Sequence, residues 1–245
     1  MKTQNRKARV FQQREVEFLD LSRRMIAEGG LAHFNMDRLA EATEYSKGTV
    51  YQHFGSKEDL VTALAIQSLG RRVAWFERAV RFNGNTRERM QALNAAEEIF
   101  VTLQPLHFRC ETLIKADDFA DRASPERRAD LEILEGRCIG TIRNVVDEAV
   151  RVGDLVLPAG RSAGDIVVSF AAIHIGTFTI MHNFTKLCSA AGITNPLMTL
   201  RYQVAVMLDG LNWRPLSTAS DPATTYRRIF REVFPEESLQ AGRSE

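Results

Sequence analysis

The chain has 245 residues, 44% of them hydrophobic, and a formal net charge of +1. That length and apolar content support a packed core of ordinary globular type, and the near-neutral total by itself names no partner. Cys110, Cys138 and Cys188 are widely spaced with no C-x-x-C pair, which fits reduced thiols in the cytoplasm and excludes a disulfide framework.

Charge is unevenly placed at the start. Lys2, Arg6, Lys7, Arg9 and Arg14 all precede the first acid at Glu15, so residues 1–13 read as a basic flexible arm. The first thirty residues carry scattered charges and lack the apolar run of a signal peptide. Helices are expected at 14–29, 36–43, 47–53, 57–81, 86–104, 106–116, 125–152, 163–191, 196–211 and 222–234. Ser124-Pro125, Asn195-Pro196 and Asp221-Pro222 each put Pro at a first helical position, where its missing N–H costs nothing. Strand signals are almost absent, and the fold class is all-α. The first three helices are short, whereas those after Asn83 are long. The expected organisation is therefore a domain of short helices at 14–56, a connecting helix at 57–82 and a larger helical domain at 83–245.

No charge occurs between Asp165 and Lys186, an interval long enough to consider as a membrane span. Ser169, His174, Thr177, Thr179, His182 and Asn183 interrupt it, and such groups are costly in lipid. The expectation is a central helix packed on two sides, with no membrane.

The stretch 34–60 reads FNMDRLAEATEYSKGTVYQHFGSKEDL. Asn35 caps the second helix, with Phe34 and Leu39 placed as a hydrophobic staple. Ser46 caps a third helix of barely two turns in which Val50 and Phe54 face inward. Its other face offers Lys47, Gly48, Thr49, Tyr51, Gln52 and His53, rich in hydrogen-bond donors and lean at the leading end. That is what a helix entering the major groove of DNA needs. Ser56 caps the fourth helix and sets Lys57 at a helix N-terminus, a place that favours phosphate.

T-V-Y-Q-H-F-G-S-K-E-D-L, preceded by Ser46-Lys47-Gly48, resembles the signature of the TetR family of bacterial regulators. The likeness extends upstream through Phe18, Leu19, Met25, Ile26, Gly30, Leu31, Leu39 and Ala40, covering residues 14–62. The resemblance implies that Lys47, Gly48, Tyr51 and Gln52 approach bases, and that Thr49, Tyr51, His53 and Lys57 hold phosphates. Arg38 is a further candidate contact. It also implies a homodimer on a palindromic operator, released by a small, mostly apolar effector. Two departures stand out, because the family usually has Gly and then a small aliphatic residue where this chain has Glu44 and Tyr45. A left-handed residue at Glu44 would cost about 1 kcal/mol. Ser22 stands where the family packs Ala.

In the remaining chain, helices 163–191 and 196–211 are the expected dimerisation pair. Effector-pocket candidates are Phe100, His107, Phe108, Cys110, His174, Phe178, Met181 and His182, the polar and aromatic residues that interrupt apolar helices. A metal-responsive regulator is an alternative, since His107-x-x-Cys110 puts two ligands on one helical face. His174 and His182 do not complete it, lying about 12 Å apart along a helix and some 80° around it. No nucleophile with a base, paired carboxylates or phosphate-binding Gly loop appears with diagnostic spacing, so neither an enzyme nor a cofactor is expected.

Overall fold

The computed structural model describes residues 2–108, 111 and 119–242. Among these residues every regular element is helical. The α-helices are α1 (Lys2–Gly29), α2 (Met36–Glu41), α3 (Lys47–His53), α4 (Lys57–Ala79), α5 (Thr86–Leu103), α6 (Pro125–Val152), α7 (Ala163–Asn183), α8 (Thr185–Ala190), α9 (Pro196–Gly210), α10 (Pro222–Glu232) and α11 (Pro235–Gln240). Residues 105–108 are also helical, and the rest of the helix expected at 106–116 lies almost wholly outside the described residues. The chain forms two compact units, Met1–Arg71 with Gln104–Glu135 and Arg72–Leu103 with Gly136–Glu245.

Three elements differ from expectation. Helix α1 begins at Lys2, well before Arg14, so the basic start is the opening of a helix. The helix expected at 163–191 breaks at Phe184, whose dihedrals (φ −125, ψ 44) leave the helical region while its N–H still bonds the Ile180 carbonyl. Helix α11 is additional, although Pro235 with Glu236 and Glu237 behind it carries the same N-terminal signal used elsewhere.

In the first unit α1 buries Phe18, Ser22 and Ile26 at four-residue spacing. Gly30, at φ +79, ends the helix in a conformation that costs a glycine nothing. Leu39, Val50, Phe54, Leu60 and Leu64 complete the core. His107 is buried there too, its Nδ1 2.8 Å from Ser68 Oγ.

The second unit is organised around α5, and this corrects the expected centre. Met90, Leu93, Ala96, Ile99 and Phe100 are buried, and so are Arg87, Asn94 and Glu98. The polar groups are paired in place. Arg87 donates to the Trp213 carbonyl at 2.8 Å and pairs with Asp209 at 2.8 Å. Glu98 receives both Nε and Nη2 of Arg201, at 2.8 and 2.7 Å. Asn94 Nδ2 donates to Glu98 and to the Tyr226 hydroxyl, each at 2.8 Å, and its Oδ1 meets His174 Nε2 at 2.8 Å. Of the apolar stretch of α7, by contrast, only 33% is buried. It is long and apolar enough to cross a membrane, yet it turns Ile166, Val167, Phe170 and Phe178 inward and packs on α9.

Burial holds both interior histidines in the neutral form, His107 at a pKa of about 3 and His174 at about 4. The unfolded chain takes up these protons below about pH 6.5, whereas the folded one resists until far lower pH. Stability is therefore full above pH 6.5 and falls as pH drops, for His174 by on the order of 3 kcal/mol on reaching pH 4. Urea unfolding at neutral and acid pH measures this, and His174→Gln should flatten the profile. A variant whose profile runs parallel to the wild type would remove the histidine from the account.

Candidate nucleic-acid interface

Three caps shape the reading head. The Asn35 side chain accepts from the Arg38 N–H at 2.8 Å, Ser46 Oγ from the Thr49 N–H at 3.2 Å and Ser56 Oγ from the Asp59 N–H at 3.1 Å. Each satisfies a backbone donor that the first turn leaves open, and each fixes where its helix starts. Between α2 and α3, Glu44 does not take the left-handed conformation: Asn212 is the non-glycine residue at positive φ among the described residues. The turn therefore carries none of the cost a left-handed residue there would bring. Instead, Thr43 Oγ1 donates to the Ala40 carbonyl at 2.9 Å and accepts from the Tyr45 N–H at 3.3 Å, closing the turn with side-chain bonds.

Tyr45 has a positive structural role. Its ring meets Phe18 edge-on at 5.3 Å, the Arg14 guanidinium lies 5.2 Å above it, and its hydroxyl donates to Glu17 at 3.4 Å. The departure from a small aliphatic residue thus ties the turn to α1.

Outward from α3 stand Lys47, Gly48, Tyr51 and Gln52, all exposed, with Thr49 half-buried beside them. Thr49 Oγ1 lies 3.0 Å from Ser46 Oγ. Lys47 Nζ sits 2.6 Å from Asp37 Oδ1 and 5.8 Å from the centre of the Tyr51 ring. Its hydrogen bond to Asp37 holds the ammonium above the ordinary lysine range. Arg38 is exposed and donates to the His33 carbonyl at 3.2 Å. Lys57 is half-buried and donates to the Leu31 carbonyl at 2.8 Å.

His53 does not share the exposed face on which it was expected. Its side chain is 1% exposed. The ring stacks on Phe11 at 3.7 Å and meets Phe18 edge-on at 5.2 Å, with Glu15 4.0 Å away. Burial lowers its pKa against the opposing pull of Glu15. Asp37 and Phe11 are the residues that sequence reasoning misses, and Tyr45, which it marks as a departure, takes its role from contacts with α1. Asp37 was discoverable as the acid next to Arg38, whereas Phe11 falls in a segment that reads as flexible.

The effector candidates are divided between the two units. His107 and Phe108 belong to the first unit; Phe100, His174, Phe178, Met181 and His182 belong to the second. Phe100 is buried against Trp75 at 5.8 Å, with the Arg72 guanidinium 4.8 Å over its ring. His174 is a satisfied core residue, since Nδ1 meets the Phe170 carbonyl at 2.7 Å and Nε2 meets Asn94. Phe178 is buried beside it at 6.0 Å, Met181 is half-buried, and His182 is exposed with Nδ1 2.9 Å from the Phe178 carbonyl. Cys110 lies outside the described residues, and among those described no three His, Cys, Asp or Glu converge as metal ligands.

Residues 18–64 match the family model for bacterial regulatory proteins of the tetR family. Over 55 residues the chain is 44% identical to the HTH-type transcriptional repressor AcnR of Corynebacterium glutamicum, covering 22% of this chain and 29% of that protein. Over 119 residues it is 30% identical to the HTH-type transcriptional repressor KstR2 of Mycobacterium tuberculosis, covering 49% of this chain and 58% of that one. The chain thus spans less than two thirds of the length of both curated relatives. A bacterial regulatory protein of the tetR family from Rhodococcus RHA1 shares the fold at a TM-score of 0.63 and 15% identity, over 80% of this chain and 96% of that one. The family match falls on the same capped helices that turn Lys47, Tyr51 and Gln52 outward, and the likeness of fold extends far beyond them: residues 18–64 form a domain of the tetR family of bacterial regulatory proteins, in a chain whose overall fold is that of such regulators.

Proposed function

We propose that the chain is a ligand-responsive transcriptional repressor, a cytoplasmic homodimer that binds a palindromic operator and lets go when a small, mostly apolar effector binds. The observation that carries this reading is the outward face of α3. Lys47, Tyr51 and Gln52 offer an ammonium, a phenol and an amide, all exposed, at the start and middle of a short helix held by caps on a buried core. An amide or a cation can read a base edge, and a phenol hydroxyl can hold a phosphate. A Cβ added at Gly48 would meet nothing nearer than Ser46 Oγ at 3.8 Å, so the fold itself does not require glycine there. A lean surface at that point suits close approach to a duplex. Arg38, Thr49 and Lys57 flank this face as further contacts, while His53 supports it from within.

The organisation that goes with this reading is a reading head at 14–56, a connecting helix at 57–82 and an effector-binding and dimerising part at 83–245. Phe100, Phe178 and Met181 are the candidates we retain for an apolar pocket wall. Binding there releases DNA only if the effector favours a conformation whose heads no longer fit half-sites about 34 to 36 Å apart. The role is one of binding and regulation, with no catalytic step.

Dimerisation is assigned to α7 and α9. Val168, Ile175, Met198, Tyr202 and Val206 are each at least half exposed on this packed pair. A twofold copy of the same pair would cover them in a four-helix bundle. Ile175→Asp should give a monomer by sedimentation while keeping the helical content, and operator binding should weaken with it. A variant that stays dimeric would move the interface elsewhere.

Footprinting on DNA beside the chain's own gene tests the function directly. Protection of a palindrome that weakens steeply as salt rises is the expected result. Absent or salt-independent binding would overturn the reading.

A further inference from the structure

The opening of α1 carries Arg6, Lys7, Arg9 and Arg14 with no acid among residues 6–14. Arg6, Lys7 and Arg9 are exposed, and Arg14 is half-buried. This segment is fastened to the reading head at both ends of α3. Phe11 stacks on His53, the last residue of α3, at 3.7 Å with an interplanar angle of 20°. Arg14 covers the ring of Tyr45, which lies just before the Ser46 cap. Next to Arg14, Glu15 accepts from Arg127 at 2.7 Å. At about 100° per residue, Lys7 and Arg14 fall within about 60° of Phe11 on one side of the helix with Arg6 about 140° away on that side, Glu15 lies about 40° away on the other side, and Arg9, about 160° from Phe11, faces away from the stack.

We propose that this stretch is a second DNA-holding element, whose cations take phosphates of the duplex beside the groove that α3 reads. The inference rests on the reading of α3 as the recognition helix. Long cationic side chains on a helix pinned alongside a groove-reading helix reach the neighbouring sugar-phosphate strand, and contacts of this kind fix register without selecting sequence. Phe11 and His53 are positioning residues that keep the basic helix against α3. A basic helix can also meet an anionic membrane, but it binds there by inserting its apolar side chains. Here Phe11, although 42% exposed, has one face in the stack with His53, and Val10 is the other large apolar side chain exposed among residues 6–14; four cations beside so little apolar surface favour DNA.

The test compares the salt dependence of DNA binding for the wild type, for the triple variant Arg6→Ala, Lys7→Ala, Arg9→Ala, and for Phe11→Ala. The probes are a duplex carrying the footprinted site and a mixed-sequence duplex. The triple variant should flatten the plot of log K against log salt by about 2 to 3, roughly 0.9 for each phosphate no longer neutralised. Its loss of affinity should be equal on the two duplexes. Phe11→Ala keeps every cation and should still flatten the slope. Wild-type protein that binds no duplex sinks the DNA reading as a whole. Wild type that binds while the triple variant keeps its slope sinks only the second element. Cation-dependent binding to phosphatidylserine vesicles, with the DNA slope unchanged, assigns the helix to lipid and overturns the proposal.

Discussion

Replacing Glu98 with Ala should destabilise the protein by about 3 to 5 kcal/mol, because it strands a largely buried guanidinium. The Glu98 side chain has no exposed surface and that of Arg201 only 19%. The two form a bidentate pair, and Asn94 spends one of its amide protons on the same carboxylate. Glu98 has no water to return to when its partner is removed, and Arg201 has little. The Tyr226 hydroxyl shares the site; burial, then the nearby Glu98 charge, hold it protonated far above the ordinary phenol range. The double variant Glu98→Leu, Arg201→Met removes both charges and keeps most of the volume, so it should recover most of the loss. Urea denaturation of the two variants separates these outcomes. A loss below about 1 kcal/mol for Glu98→Ala is what an exposed pair would give, and it would refute the buried arrangement.

Lys47→Ala should weaken operator binding by about 10- to 100-fold, the range expected when a hydrogen bond to a base edge is removed. Asp37→Asn should act in the opposite direction. In the free protein Asp37 holds Lys47 at 2.6 Å, so DNA must compete with a carboxylate for that ammonium. Both side chains are 58% exposed, which limits the gain from freeing Lys47 to about threefold. Removing a negative charge beside the duplex adds to it at low salt and fades as salt rises. Fluorescence anisotropy on the footprinted site measures both effects. In the double variant the Asp37→Asn gain should shrink, since there is no ammonium left to release. Undiminished gain in that background would mean that Asp37 acts on DNA and not through Lys47.

Local signals carry the reading head. Asn35, Ser46 and Ser56 accept from the backbone N–H groups that cap chemistry requires, and the four-residue spacing of Val50 and Phe54 marks the buried side of α3. His53 reads as exposed because its burial depends on Phe11, more than forty residues away, and no local pattern reports that stack. Tyr45 poses the same difficulty. Seen alone it is a bulky residue in a turn, whereas with Arg14, Glu17 and Phe18 around it the residue is a joint between α1 and the turn. In the second unit, freedom from charge makes 163–191 look central. The real centre is α5, whose Arg87, Asn94 and Glu98 disguise it as an amphipathic surface helix. Buried polar residues that satisfy one another across distant segments cannot be told from solvated ones without knowing their partners.

On the proposed dimer, the apolar face shared by α7 and α9 makes the protein's own abundance a regulatory variable. A subunit with Val168, Ile175, Met198, Tyr202 and Val206 uncovered is a poor solute, so pairing and stability rise together by mass action. The melting temperature should therefore climb with protein concentration. In that proposal only a paired chain sets two heads on one operator, so occupancy should grow with the square of subunit concentration while dimers are scarce. A gradual change in synthesis then becomes a sharper change in repression, before any effector is present.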